Sequence, residues 1–166
     1  MTEAEGQPVA ETAVQPFRIL PRITEQTEHF WRGGREGELR FLRCQGCGYY
    51  IHPPSPICPE CLSKDIAPEA VSGDAVVHTF TINEQLWIPT FDPPYVVAIV
   101  ELPEQAGLRL TTNIVGCVPD AVFIGMNVHV RFEHYDERGY EVWLPLFEPT
   151  EPTAAGDPVA TAEGNI

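Results

Sequence analysis

No apolar run in this sequence of 166 residues approaches the roughly 18 residues that cross a bilayer, so no membrane-spanning helix is expected. The opening stretch, Met1 to Gln15, is acidic and polar. It has neither the basic start nor the apolar core of a secretory signal, which points to a cytoplasmic protein. Long helices are not expected either, because 17 prolines and 13 glycines favour turns and strands. Basic residues are scarce where a nucleic-acid groove would need them. Residues 71–147 hold only Arg109, Arg131 and Arg138 against ten acidic residues, and the formal net charge of the chain is -14. Tracking a phosphate backbone requires the opposite balance. The motifs of self-sufficient catalysis are missing too: there is no P-loop, no G-x-G-x-x-G, no H-E-x-x-H and no nucleophile elbow. There is no internal repeat.

Hydrophobic residues make up 43% of the chain, enough for a packed core. Residues 1–16 and 148–166 are rich in Ala, Thr, Pro, Glu and Gly and carry no Lys or Arg. They read as disordered acidic tails, unable to bury enough surface to offset ordering entropy. Residues 17–38 form an N-terminal helical segment. Its helix is expected over 24–33, with Thr24 as N-cap, Glu25 and Glu28 in the first turn, and Gly33-Gly34 as the stop. Such a helix is too short to stand alone. Its Phe30-Trp31 pair must therefore pack on neighbouring elements or on another protein.

Four cysteines carry the strongest signal. Cys44, Cys47, Cys58 and Cys61 follow the pattern C-x2-C-x10-C-x2-C. Two residues between cysteines let one tight turn present both sulfurs to one ion, about 2.3 Å away. In a reducing compartment such pairs read as a metal site and not as disulfides. Four thiolates complete a tetrahedron and leave no position for substrate, so structural zinc is expected, with iron in a rubredoxin-like site as the alternative. The ribbon spans residues 39–70, with strands at Leu39–Arg43 and Tyr49–Ile51. Cys117 reads as a spare buried thiol. His52 lies near the ribbon but outside a filled shell, and reads as a surface residue. His29, His78, His129 and His134 read as structural.

Residues 71–147 are strand-rich. Strands are expected at Val76–Ile82, Tyr95–Leu102, Leu108–Val115, Val128–His134 and Tyr140–Leu146, with Asp136-Glu137-Arg138-Gly139 as a hairpin turn. The fold class is thus mainly β: an N-terminal helix, a rubredoxin-like zinc ribbon, then a five-stranded OB-fold barrel. The loop from Glu84 to Pro94 concentrates Trp87, Ile88 and Phe91, with Tyr95 just beyond. These rings either cap one end of the barrel or face a partner or ligand.

The order of blocks is recognisable. A Phe-Trp helix precedes Gly37-Glu38-Leu39, two Cys-x-x-Cys knuckles, and Val71-Ser72-Gly73 opening the barrel. Then come Pro94-Tyr95-Val96-Val97-Ala98-Ile99-Val100-Glu101-Leu102, Thr112-Asn113-Ile114-Val115-Gly116-Cys117 and Ile124-Gly125-Met126. Residues 17–147 thereby resemble the zinc-ribbon/OB-fold proteins that accompany thiolase-superfamily enzymes. One departure is Leu62, where that family often has Gly. The resemblance implies a non-catalytic accessory subunit, docked on a thiolase-like (sterol-carrier-protein-type) enzyme in an α2β2 assembly. It implies a complex acting on coenzyme A thioesters, in one branch by retro-aldol cleavage of a steroid side chain. Candidate contacts to partner or acyl-CoA are Phe30, Trp31, Arg35, Trp87, Phe91 and Tyr95. Arg18, Arg22, Arg32, Arg35, Arg40 and Arg43 either meet CoA phosphates or an acidic partner, or are solvated or paired with Glu25, Glu28, Glu36 and Glu38. A single-stranded nucleic-acid module and a self-sufficient acyl-CoA enzyme are the competing classes; no nucleic-acid or membrane partner is expected.

Overall fold

The computed structural model describes residues 18–87, 91–137 and 139–150. The tails assigned from sequence fall almost wholly outside the described residues, as does Ile88. The first helix, α1, is Glu28–Arg32, shorter than the expected 24–33. The backbone explains the later start. The Thr24 carbonyl accepts from the amides of both Thr27 and Glu28, closing a turn, and Thr27 becomes the N-cap. A 3-10 turn at Gly33–Arg35 follows.

The glycine pair does not stop the helix by adopting a left-handed backbone, because Gly33 keeps φ -58. Close packing requires Gly34 instead: a Cβ there would lie 2.5 Å from both the Phe132 ring and the Trp143 Cβ. The left-handed turn comes later, at Gly37, φ +74.

The ribbon is a three-stranded antiparallel sheet, with β1 (Leu39–Cys44) between β2 (Tyr50–Ile51) and β3 (Ile66–Val71). Strand β3 was not expected. Its sequence, Ile-Ala-Pro-Glu-Ala-Val, has Pro68 in the middle, and proline cannot donate to a ladder. It is tolerated because β3 is an edge strand, bonded only to β1.

The barrel comprises β4 (Asp74–Asn83), β5 (Tyr95–Glu101), β6 (Arg109–Ile114), β7 (Asn127–Glu137) and β8 (Tyr140–Pro149). It closes in the order β4-β5-β6-β8-β7, with a bulge in β4 between Val77 and Thr79. The parallel contact of β6 with β8 pairs Ile114 with Phe147, and Val115 N–H donates to the Phe147 carbonyl. Strand β8 runs on through Glu148 and Pro149, residues that the sequence reading gave to the C-terminal tail.

Alternation along β4–β8 sends Val77, Val96, Val100, Val128 and Phe147 into one core. That core does not end at the barrel wall. Leu39, Phe41 and Tyr50 of the ribbon and Phe30 of α1 belong to the same buried cluster. The turn between β5 and β6 adds a polar joint. Gln105 Oε1 accepts from the Tyr50 amide at 2.7 Å, and its Nε2 donates to the Tyr50 carbonyl at 3.1 Å. Glu104 accepts from the Ser72 amide at 2.6 Å. Ribbon and barrel are thereby joined by burial and by hydrogen bonds.

Candidate metal centre and docking surfaces

Two tight turns bring the four cysteines together. Cys44 ends β1, and Gly48 N–H returns to its carbonyl at 2.8 Å. In the second turn Leu62 N–H returns to the Cys58 carbonyl at 3.0 Å. All four Sγ atoms lie within 4.8 Å of one another. Cys44 and Cys61 are 3.5 Å apart, Cys47 and Cys58 3.6 Å. A tetrahedral ion with sulfurs at about 2.3 Å sets its ligands about 3.8 Å apart, so the spacing fits. Cys44 and Cys58 are buried; Cys47 and Cys61 are exposed.

The electrostatics also fit a cation. The Cys47 backbone N–H pulls the Cys44 thiol down to about 6. At Cys47 the Tyr49 N–H favours the thiolate, but desolvation and the three neighbouring sulfurs outweigh it and push the thiol up to about 12. Four sulfurs this close resist joint ionisation unless a positive ion sits among them.

The candidate contact residues are not gathered into one patch. Phe30 is 6% exposed and spent on the chain's own core, with its ring centroid 5.7 Å from that of Phe41. Trp31 stands edge-on to Phe30 at 4.7 Å, partly buried against the same core. Arg35 is exposed at the end of the 3-10 turn. Phe91 lies 4.4 Å from the Tyr95 ring and carries the Arg18 guanidinium, also at 4.4 Å. Trp87 differs from the other aromatic residues of the set. It is 72% exposed beside Leu86 at 55%, and its indole N–H donates to Asn83 Oδ1 at 2.6 Å.

Of the six N-terminal arginines, four are held by carboxylates. Arg18 bonds Glu133 at 3.2 Å, and Arg32 reaches Glu28 at 2.5 Å. Arg40 reaches Glu38 at 2.7 Å, and Arg43 reaches Glu69 at 2.5 Å. Arg32 and Arg40 thus pair with glutamates of the expected set, whereas Arg18 and Arg43 pair with Glu133 and Glu69, distant in sequence.

His52 is not a surface residue. Its ring stacks on Phe30 at 5.4 Å and meets Phe41 edge-on at 4.8 Å, linking α1 to the ribbon. Desolvation, helped by the charge of His29, pushes its pKa down to about 4. Nothing in the sequence marks it, because the sandwich depends on where α1 lands. His129 is matched to Asp74 at 2.7 Å, but both side chains are at least half exposed, so the pair contributes little. Sequence reasoning also missed a cleft of about 980 Å³ over the start of β4, lined by Val76, Leu102, Pro103, Ala106, Ile124 and Arg109 among others. It forms only when the β5–β6 turn and the connector before β7 flank the same strand.

A four-cysteine ribbon joined to a closed five-stranded barrel defines a zinc-ribbon/OB-fold protein. Residues 31–67 match the ChsH2 rubredoxin-like zinc ribbon domain, and residues 68–133 match the ChsH2 C-terminal OB-fold domain. The solved structure of the "Ltp2-ChsH2(DUF35) aldolase" is similar, at 35% identity and a TM-score of 0.69, covering 78% of this chain and 98% of that one. A "DUF35 domain-containing scaffold protein" of Methanothermobacter thermautotrophicus is 39% identical over 120 residues, 69% of this chain and 86% of the relative. A "probable enoyl-CoA hydratase alpha subunit" of Thermomonospora curvata is 35% identical over 167 residues, 90% of this chain. The chain spans about half (51%) of that relative's length. The chain belongs to the DUF35 family, with the ChsH2 type of zinc ribbon and OB-fold.

Proposed function

We propose that this protein is a non-catalytic accessory subunit that docks on and stabilises a thiolase-like enzyme acting on acyl-CoA thioesters. The carbon–carbon chemistry, including retro-aldol cleavage of a steroid side-chain CoA ester, belongs to the partner subunit. The ribbon holds zinc as a structural ion through Cys44, Cys47, Cys58 and Cys61, and the assembly is α2β2. Coenzyme A thioester is a ligand of the assembled complex.

The observation that carries this reading is the presentation of Trp87. A tryptophan that is 72% exposed while its only donor is satisfied by Asn83 offers a fixed, purely apolar face. Side chains held in their bound orientation lose little entropy on association, and tryptophan dominates interface hot spots. The names of the similar proteins, a scaffold, an aldolase pair and a hydratase subunit, support an assembled role. Trp87→Ala is expected to retain zinc and the fold and to weaken binding to the thiolase-like subunit by at least tenfold, a loss of about 1.4 kcal/mol. Calorimetric titration reads the affinity. Unchanged affinity in a folded, zinc-loaded variant would remove Trp87 from the interface.

A further inference from the structure

The two cysteine turns share one backbone design, and the residue after the second cysteine sets them apart. Gly48 and Leu62 each follow the second cysteine of their pair, and each returns its N–H to the carbonyl of the first. Both adopt a left-handed backbone, Gly48 at φ +79 and Leu62 at φ +61. Glycine does this freely, whereas a leucine is strained there. A branched side chain could offset that strain by burial, but Leu62 is 75% exposed. Ile57, on the other side of Cys58, is 40% exposed. Neither belongs to the small cluster beneath them, which is formed by Cys44, Ile51 and Cys58 with Leu42, Tyr49 and Ile66. The second turn thus presents an outward apolar tip that the chain's own stability does not explain. Strain of this kind persists where a function holds it in place.

We propose that Leu62, supported by Ile57, is a docking knob that enters an apolar socket on the partner enzyme subunit. The proposal rests on the accessory-subunit reading and adds a second contact, set on a different element from Trp87. Charge selects the occupant. At a net charge of -14, a second copy of this chain and an anionic lipid surface are both repelled. Around the knob, Glu60, Lys64 and Asp65 are all exposed, and none forms an ion pair among the described residues. Lys64 is the only lysine in the chain. The matching socket therefore has an apolar floor and a rim of mixed charge, including a carboxylate placed for Lys64. Four-cysteine anchoring keeps the knob rigid, so little ordering is lost on docking.

Leu62→Gly separates stability from binding, because the two should move in opposite directions. Relief of strain is expected to raise the melting temperature by about 4 °C with zinc content unchanged. Loss of the knob is expected to weaken binding of the thiolase-like subunit by about tenfold. Leu62→Asn, which tolerates the same backbone, should bind as weakly, so the result does not depend on glycine alone. Wild-type affinity in both zinc-loaded variants would overturn the knob while leaving the accessory reading in place. A wild-type chain that does not bind the subunit at all overturns both. If the variants change self-association on a sizing column instead, the occupant is a second copy and the proposal fails.

Discussion

Gly34 is a residue whose size the fold constrains tightly. Its Cα faces the Phe132 ring and the Trp143 Cβ, so an added methyl group has no room. Gly34→Ala should push the 3-10 turn off the β7–β8 hairpin and destabilise the chain by about 2 kcal/mol. A urea midpoint equal to wild type would show that the turn is loosely held. His52 makes the complementary point about charge. Its folded-state pKa, about 4, lies below the ordinary 6.5, so the unfolded chain takes up the proton first as pH falls. Stability contributed by the neutral ring is complete above about pH 6.5 and is lost as pH falls towards 4. His52→Phe keeps an aromatic ring between Phe30 and Phe41 and removes the titration. We expect the stability of wild type to fall about 2 kcal/mol further than that of the variant between pH 7 and pH 4.5. The comparison cancels the cysteine cluster, which both chains share. Parallel pH profiles would mean that His52 is solvated.

At the scale of elements, one side chain of the barrel supplies both polar ties to Tyr50 of the ribbon. Gln105 acts as a short substitute strand for Tyr50, taking both its N–H and its C=O. Gln105→Ala leaves those two groups without partners at a position where Tyr50 is only 7% exposed. A cost of about 1–3 kcal/mol follows, with faster amide exchange at Tyr50. Unaltered exchange would indicate another partner for that amide. The elements also show what the sequence made legible. The cysteine spacing located the knuckles, because chemistry imposes it, and strand-type patterns, alternating at Val76–Ile82 and continuously β-branched at Tyr95–Leu102, located the barrel strands. Strand β3 stayed hidden because Pro68 argues against a strand unless the edge position is known. The helix start shifted because Thr24 and Thr27 are equally good caps by type, and the Thr24 carbonyl decided between them. The His52 sandwich, the Gln105 joint and the cleft beside Ile124 unite residues far apart in sequence, and local pattern holds no trace of such pairings.

At the scale of the whole molecule, a single buried cluster runs from Phe30 of α1 through Phe41 of the ribbon to Phe147 of the barrel. Helix, ribbon and barrel therefore stand or fall together, and the chain presents its exposed apolar residues from a stiff frame. Trp87 and Leu62 lie on different elements of that frame, the β4–β5 loop and the second cysteine turn. A rigid body with separate apolar contacts suits an accessory subunit more than a self-sufficient catalyst. The measurement that bears most directly on this account is the acyl-CoA activity of three samples: this chain alone, the thiolase-like subunit alone, and the two co-purified. The account predicts a stable complex, no turnover by this chain alone, and cleavage or condensation only, or far faster, with the pair. Turnover by this chain alone, or full activity of the partner without it and no complex between them, would contradict it.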